Sequence, residues 1–282
     1  MKKTILLLCI LIAPILMRAQ STTPAPATSG HPWQGATVAY LGDSITDPGE
    51  RPDGHDWTGR IEWHYWSYLQ QWLGIRPLVY GVNGDRWSGI PAQISKLKDE
   101  HGSDFDAIMI FIGTNDYVTD TPIGEWYDFS RDSVVMALGY SATTYDVMRR
   151  TPSMDPETLK GRINISMSIL KETWPEKQIV ILTPIHRAYA TFGAENIQPD
   201  ESYPNRLGLY ISDYVDAIKQ TGAVWSVPVI DLFAVSGVNP MVEAQVSYFR
   251  RSDTYRLHPN AKGHDRIART LFYQLLTLPC KF

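Results

Sequence analysis

Short, almost unbroken apolar runs alternate along the chain with stretches whose apolar residues recur at helical spacing. The first run, Ala36 to Leu41, ends at Gly42-Asp43-Ser44, as a buried strand ends at a turn. Residues 58–73 place Ile61, Tyr65, Tyr68, Leu69 and Trp72 on one helical stripe, with Gly74 as a stop. A second strand is predicted over 77–80, running into Gly81-Val82-Asn83-Gly84, and a helix over 90–97. The run 105–112 predicts a third strand that ends at Gly113-Thr114-Asn115-Asp116. A helix over 158–174, closed by Pro175, precedes a fourth strand over 178–182 and Thr183-Pro184. A helix over 205–221 stopped by Gly222, a fifth strand within 224–232, and a last helix over 261–278 capped by Asn260 complete the series. Strands without polar alternation are buried on both faces, so the pattern predicts an α/β fold with a parallel sheet between helical layers. In such folds sites collect at the carboxyl ends of the strands. Two long, aromatic-rich connections, 117–157 and 186–204, interrupt the rhythm at that end and are expected to wall a pocket.

The amino terminus stands outside this rhythm. Lys2 and Lys3, the apolar stretch Thr4–Met17 and the small residue Ala19 have the layout of a secretory signal peptide over residues 1–19. The stretch is short for a membrane span, so no span is expected after cleavage. Residues 20–34, rich in Ser, Thr, Pro and Ala, predict a flexible lead-in, and 35–282 a single domain. Cys9 lies inside the apolar stretch, which leaves Cys280 alone in the mature chain and excludes an intramolecular disulfide. Export without disulfides fits a secreted or periplasmic bacterial protein. Of 282 residues 44% are hydrophobic, enough for a full core, and the net charge of -4 argues against a nucleic-acid partner. The sequence carries no signal for oligomeric state.

The polar clusters at the strand ends supply what acyl transfer needs. Ser44 could attack, and His258 has the pKa range of a base at neutral pH. Gly84 allows a backbone N–H to approach an oxyanion closely, and the Asn115 amide adds a second donor without charge.

The ordered set Gly42-Asp43-Ser44, Gly84, Asn115 and His258-Pro259-Asn260 resembles the SGNH (GDSL-like) hydrolases over about residues 36–278. The resemblance implies a flavodoxin-like three-layer α/β/α sandwich with about five parallel strands. It also implies serine ester hydrolysis without a metal or cofactor: Ser44 as nucleophile, His258 as base, and an oxyanion hole built from the Ser44 and Gly84 N–H groups and Asn115. One position departs from the pattern. The family usually carries an aspartate three residues before the histidine, to orient the imidazole; here Tyr255 stands there, and Asp253 lies five before. Asp253 could orient His258 from a bulged loop. Alternatively a backbone carbonyl, a water or Tyr255 could do so, or the site could be degenerate.

Other residues receive smaller roles. Asp43 and Asp116 read as turn-forming. Trp126, Tyr189 and Arg187 are candidate substrate contacts, although an exposed polar loop accounts equally well for His186 and Arg187. His55, His64 and His101 form no compact ligand spacing, so no metal is assigned. His264 on the last helix is expected to be solvated, and Trp63, Trp66 and Trp72 to pack into the core from one helix. The expected substrate is a small-molecule or glycan ester: an exported esterase removing short acyl groups, acetyl first among them, from carbohydrate. A lysophospholipase or thioesterase acting on longer chains, and a non-catalytic carbohydrate-binding protein, are the alternatives.

Overall fold

The run Gln178–Leu182 offers no polar side chain after its first residue, and it forms a strand buried along its whole length. The same holds for Ala107–Phe111. The computed structural model describes residues 29–49, 63–137, 139–251 and 254–281. The expected signal peptide, most of the lead-in, residues 50–62 and Asp253 lie outside the described residues. In chain order the elements are β1 (Thr37–Gly42), α1 (Tyr65–Leu73), β2 (Arg76–Val79), α2 (Ile90–His101), β3 (Ala107–Phe111), α3 (Thr114–Val118), β4 (Tyr127–Met136) and β5 (Thr143–Pro152). They continue with α4 (Leu159–Thr173), β6 (Gln178–Leu182), β7 (Ala190–Gly193), β8 (Asn196–Gln198), α5 (Ile211–Trp225), β9 (Val229–Ile230), α6 (Leu232–Val235), β10 (Phe249–Arg251), β11 (Tyr255–Pro259) and α7 (Ala261–Leu275).

The main sheet has five parallel strands in the order β2-β1-β3-β6-β9. Successive residues of each strand enter opposite cores, as the two-residue period requires. Val38, Tyr40, Met109, Phe111, Val180 and Leu182 pack with α1 and α7 on one side. Ala39, Leu41, Ile108, Ile110, Ile179 and Ile181 pack with α2, α4 and α5 on the other. The result is a three-layer α/β/α sandwich. Strand order reverses between β1 and β3, the switch point where ligands of doubly wound sheets bind. The beginning and end of the described domain meet: Trp33 Nε1 donates to Leu278 O at 2.9 Å, and Cys280 Sγ to Pro32 O at 3.1 Å.

Several predicted elements change in detail. The helix expected over 205–221 begins at Ile211, because Asn205 Oδ1 instead accepts from the N–H groups of Leu207 and Leu209 and turns the chain. Asp213 then accepts from the Tyr210 N–H at 2.7 Å and starts the helix, which runs through Gly222 to Trp225. That leaves only Val229–Ile230 of the expected fifth strand. The helix containing Trp66 and Trp72 is described from Tyr65, so Trp63 precedes it, although it still packs against the core.

The two long connections fold differently from each other. In the first, β4 and β5 form an antiparallel hairpin paired only with itself, exposed along nearly its whole length. Its base is clamped by Asn164 Nδ2, which donates to the carbonyls of Trp126 and Ser153 at 3.0 and 2.9 Å. Among the described residues no hydrogen bond or ring contact joins this hairpin to Ser44 or His258. The second connection supplies β7 and β8, which join β10 and β11 in a four-stranded sheet of order β10-β11-β7-β8. That sheet carries His258.

Candidate active site

Ser44 follows β1 in a turn fixed by its neighbour. The Asp43 carbonyl accepts from the Thr46 and Asp47 N–H groups at 3.0 and 2.9 Å, and Asp43 Oδ1 accepts from Ile45 N–H at 3.0 Å. Gly42 is required before this turn, since a Cβ there would lie 2.4 Å from the Phe111 carbonyl oxygen. Gln93 of α2 binds the turn to the next loop. Its side chain accepts from Gly42 N–H at 2.9 Å and donates to the Gly42 carbonyl at 2.8 Å and to Asp85 Oδ2 at 2.7 Å. In that loop Gly84 has φ +79°, a left-handed conformation that suits glycine.

Asn115, in the first turn of α3, donates one Nδ2 hydrogen to the Asp85 carbonyl at 2.9 Å, leaving its second amide hydrogen for another acceptor. Asp116 faces inward, accepting from Trp87 N–H at 3.0 Å and from Arg162 Nη1 at 3.2 Å. Three loops from three strand ends are thereby bound to one another.

His258 reaches the same place from β11. Its strand pairs with β10 and β7 on either side, and Asn260 caps α7 immediately after it, donating to the Ser247 and Phe249 carbonyls. Nε2 lies 2.6 Å from Ser44 Oγ, with both residues buried. Nδ1 lies against the Tyr255 hydroxyl. Burial holds the imidazole well below the ordinary histidine range, and Arg250, Arg187 and His64 push it in the same direction. Burial also pushes Asp43 up to about 7, against the pull of the Ile45 N–H. A hydroxyl hydrogen-bonded to a neutral imidazole at a strand switch point can act as a nucleophile.

The three candidate substrate contacts fare differently. Trp126 is buried in the core beside α4 and α5 and donates Nε1 to Gln220 Oε1 at 2.7 Å, so it is a packing residue. Arg187 is neither exposed nor open to substrate at 1% exposure. Its guanidinium donates to Thr114 Oγ1 and Gln198 Oε1 and lies over the Tyr117 ring, and burial pulls its pKa down to about 10. Its neighbour His186 is half-buried, with Nδ1 2.6 Å from Glu201 Oε1. Tyr189 is 42% exposed; its hydroxyl accepts from Thr191 Oγ1, and no described contact joins it to Ser44. His264 is fully buried rather than solvated, because α7 turns it toward α1, where Nδ1 accepts from Tyr65 N–H at 3.2 Å.

Two further residues matter here, of which only Gln93 was not anticipated from the sequence. Gln93 had a signal: it is a polar residue within the buried stripe Ile90, Gln93, Ile94, Leu97. Phe192, on the second connection, meets Tyr255 edge-on at 5.0 Å and remains 45% exposed beside His258.

The chain is similar to known proteins over most of its length. The signature of the GDSL-like Lipase/Acylhydrolase family matches residues 40–266. A solved protein from Lactobacillus plantarum is similar at 26% identity, covering 86% of this chain and 97% of that one, with a TM-score of 0.63. A possible lipase from Chitinophaga pinensis is similar at 20% identity, covering 86% and 98%, with a TM-score of 0.62. No curated protein matches the chain.

Proposed function

The chain belongs to the GDSL-like lipase/acylhydrolase family, an ester-hydrolysing family, and from that premise we propose that it cleaves short acyl esters through a Ser44–His258 pair. The observation that carries this reading is the 2.6 Å contact between Ser44 Oγ and His258 Nε2. His258 takes the hydroxyl proton as Ser44 attacks the ester carbonyl. The oxyanion is met by the Ser44 and Gly84 N–H groups and by the uncommitted hydrogen of Asn115, donors already fixed before charge develops. His258 returns the proton to the leaving alcohol, then activates the water that releases the acid.

The substrate class is read from what surrounds the serine. Polar groups gather around the Ser44 turn: Gln93 binds Gly42 and Asp85, and Arg187, which acts on both Asp43 and His258, binds Thr114; this setting favours a short acyl group over a long one. Phe192, 45% exposed beside His258, is an aromatic ring against which a sugar can pack. An acetylated carbohydrate fits both, and the N-terminal sequence supports action outside the cytoplasm.

Hydrolysis of p-nitrophenyl acetate and p-nitrophenyl decanoate tests the reading. Acetate cleavage that exceeds decanoate cleavage and vanishes in Ser44→Ala, with the circular dichroism spectrum unchanged, is the expected outcome. A wild-type rate in Ser44→Ala overturns the mechanism, and a preference for decanoate overturns the substrate class.

A further inference from the structure

A histidine that takes a proton on Nε2 must carry its own proton on Nδ1, and an acceptor at Nδ1 selects that tautomer. Here the Tyr255 hydroxyl lies against Nδ1 while Nε2 faces Ser44. The two rings are 5.3 Å apart on one strand, tilted by 31°. Phe192 packs beside both rings, edge-on to Tyr255 at 88° and 6.2 Å from the His258 ring. The strand itself is registered by Tyr255 opposite Ala190 of β7. Tyr255 is half-buried, so the phenol is held by packing rather than left in solvent.

On the Ser44–His258 reading, we propose that Tyr255 is the positioning residue of this site, its phenol oxygen accepting the Nδ1 hydrogen in the place where an aspartate is usual. The relay is then Ser-His-Tyr, and the positive charge that forms on the imidazole in the transition state faces a dipole rather than an anion. The charged and titratable groups that act on His258 most strongly come from three other segments: Arg250 on β10, Arg187 after β6 and His64 before α1. All three oppose the imidazolium, as burial does. The base therefore stays unprotonated into acid solution, and turnover persists there. The cost is a less stabilised imidazolium and a lower maximal rate than a carboxylate would give.

Rates on p-nitrophenyl acetate across about pH 4 to about pH 9 test this, together with NMR titration of the His258 ring in a Ser44→Ala background. Tyr255→Phe removes one neutral hydrogen bond at a buried site, so kcat should fall about tenfold with KM within about twofold. The His258 resonances should move with it. Tyr255→Asp restores an anion, and should raise the acid limb of kcat/KM by about one pH unit or more. Wild-type kcat, pH profile and His258 resonances in Tyr255→Phe overturn the proposal. So does a silent Tyr255→Phe accompanied by loss of activity in Asp253→Asn. If Tyr255→Phe unfolds, Tyr255→Asp decides by the same titration: an unmoved His258 overturns the assignment. The NMR arm also separates the two readings. Hydrolysis indifferent to Ser44→Ala removes the esterase mechanism, while the Tyr255 contact is judged on the ring alone.

Discussion

Asp43 precedes the proposed nucleophile and is 2% exposed, so its carboxyl group must sit there almost without water. Burial is the main cause of its pKa near 7, and Asp116 and Asp85 add to it. The folded value lies above the unfolded value of 3.8. The folded state therefore binds the proton more tightly, and this contribution to stability is complete below about pH 4 and lost as pH rises through about 7. Asp43→Asn keeps an oxygen for the Ile45 N–H and removes the charge. Thermal melts should show the variant gaining on wild type as pH rises from about 5 to about 8; a constant gap would show that Asp43 is not buried as a charge. At this scale the sequence conveyed chemistry better than environment. The order of the motifs put Ser44 and His258 together and placed Gly84 and Asn115 on adjoining loops; the serine, glycine and asparagine motifs each follow a strand that its own apolar run predicts, whereas the histidine lies within β11, which no apolar run announces. It could not show that Arg187 is enclosed by Thr114, Gln198 and Tyr117, since those partners come from three separate segments.

Elements were legible in proportion to how far burial constrained them. β6, enclosed on both faces, has the predicted bounds, because every residue of it must be apolar or paired. The β4–β5 hairpin has exposure on both faces, so no alternation marks it, and its ten-residue strands were invisible in the sequence. The helix that starts at Ile211 was misplaced by a local competitor, the Asn205 turn. The hairpin also makes a clean test of modularity. Tyr127 and Pro152 face each other at its base, so a two-residue turn can replace residues 128–151. That deletion should leave p-nitrophenyl acetate turnover within about twofold. Asn164→Ala should instead cost about 1–3 kcal/mol in chemical denaturation, by removing the partner of the Ser153 carbonyl and of Trp225 Nε1–H. A deletion that abolishes turnover would place the hairpin in the active site after all.

At the scale of the molecule, the parallel sheet delivers the serine, glycine and asparagine loops, and the small antiparallel sheet delivers the histidine. The pattern of apolar runs predicted the first sheet but not the second, whose strands are three to five residues long and partly exposed. The same molecule closes on itself where Pro32 meets Cys280 and Trp33 meets Leu278. With the two ends of the described domain touching, that domain is topologically a ring, and the place where the ring is cut is a matter of gene order rather than of physics. A short peptide linking residue 281 to residue 29, with new termini opened in the turn between Met136 and Thr143, should give a circular permutant. It should melt as one cooperative unit and hydrolyse p-nitrophenyl acetate at the parental rate. In that permutant His258 would precede Ser44 along the chain, with the same 2.6 Å between them.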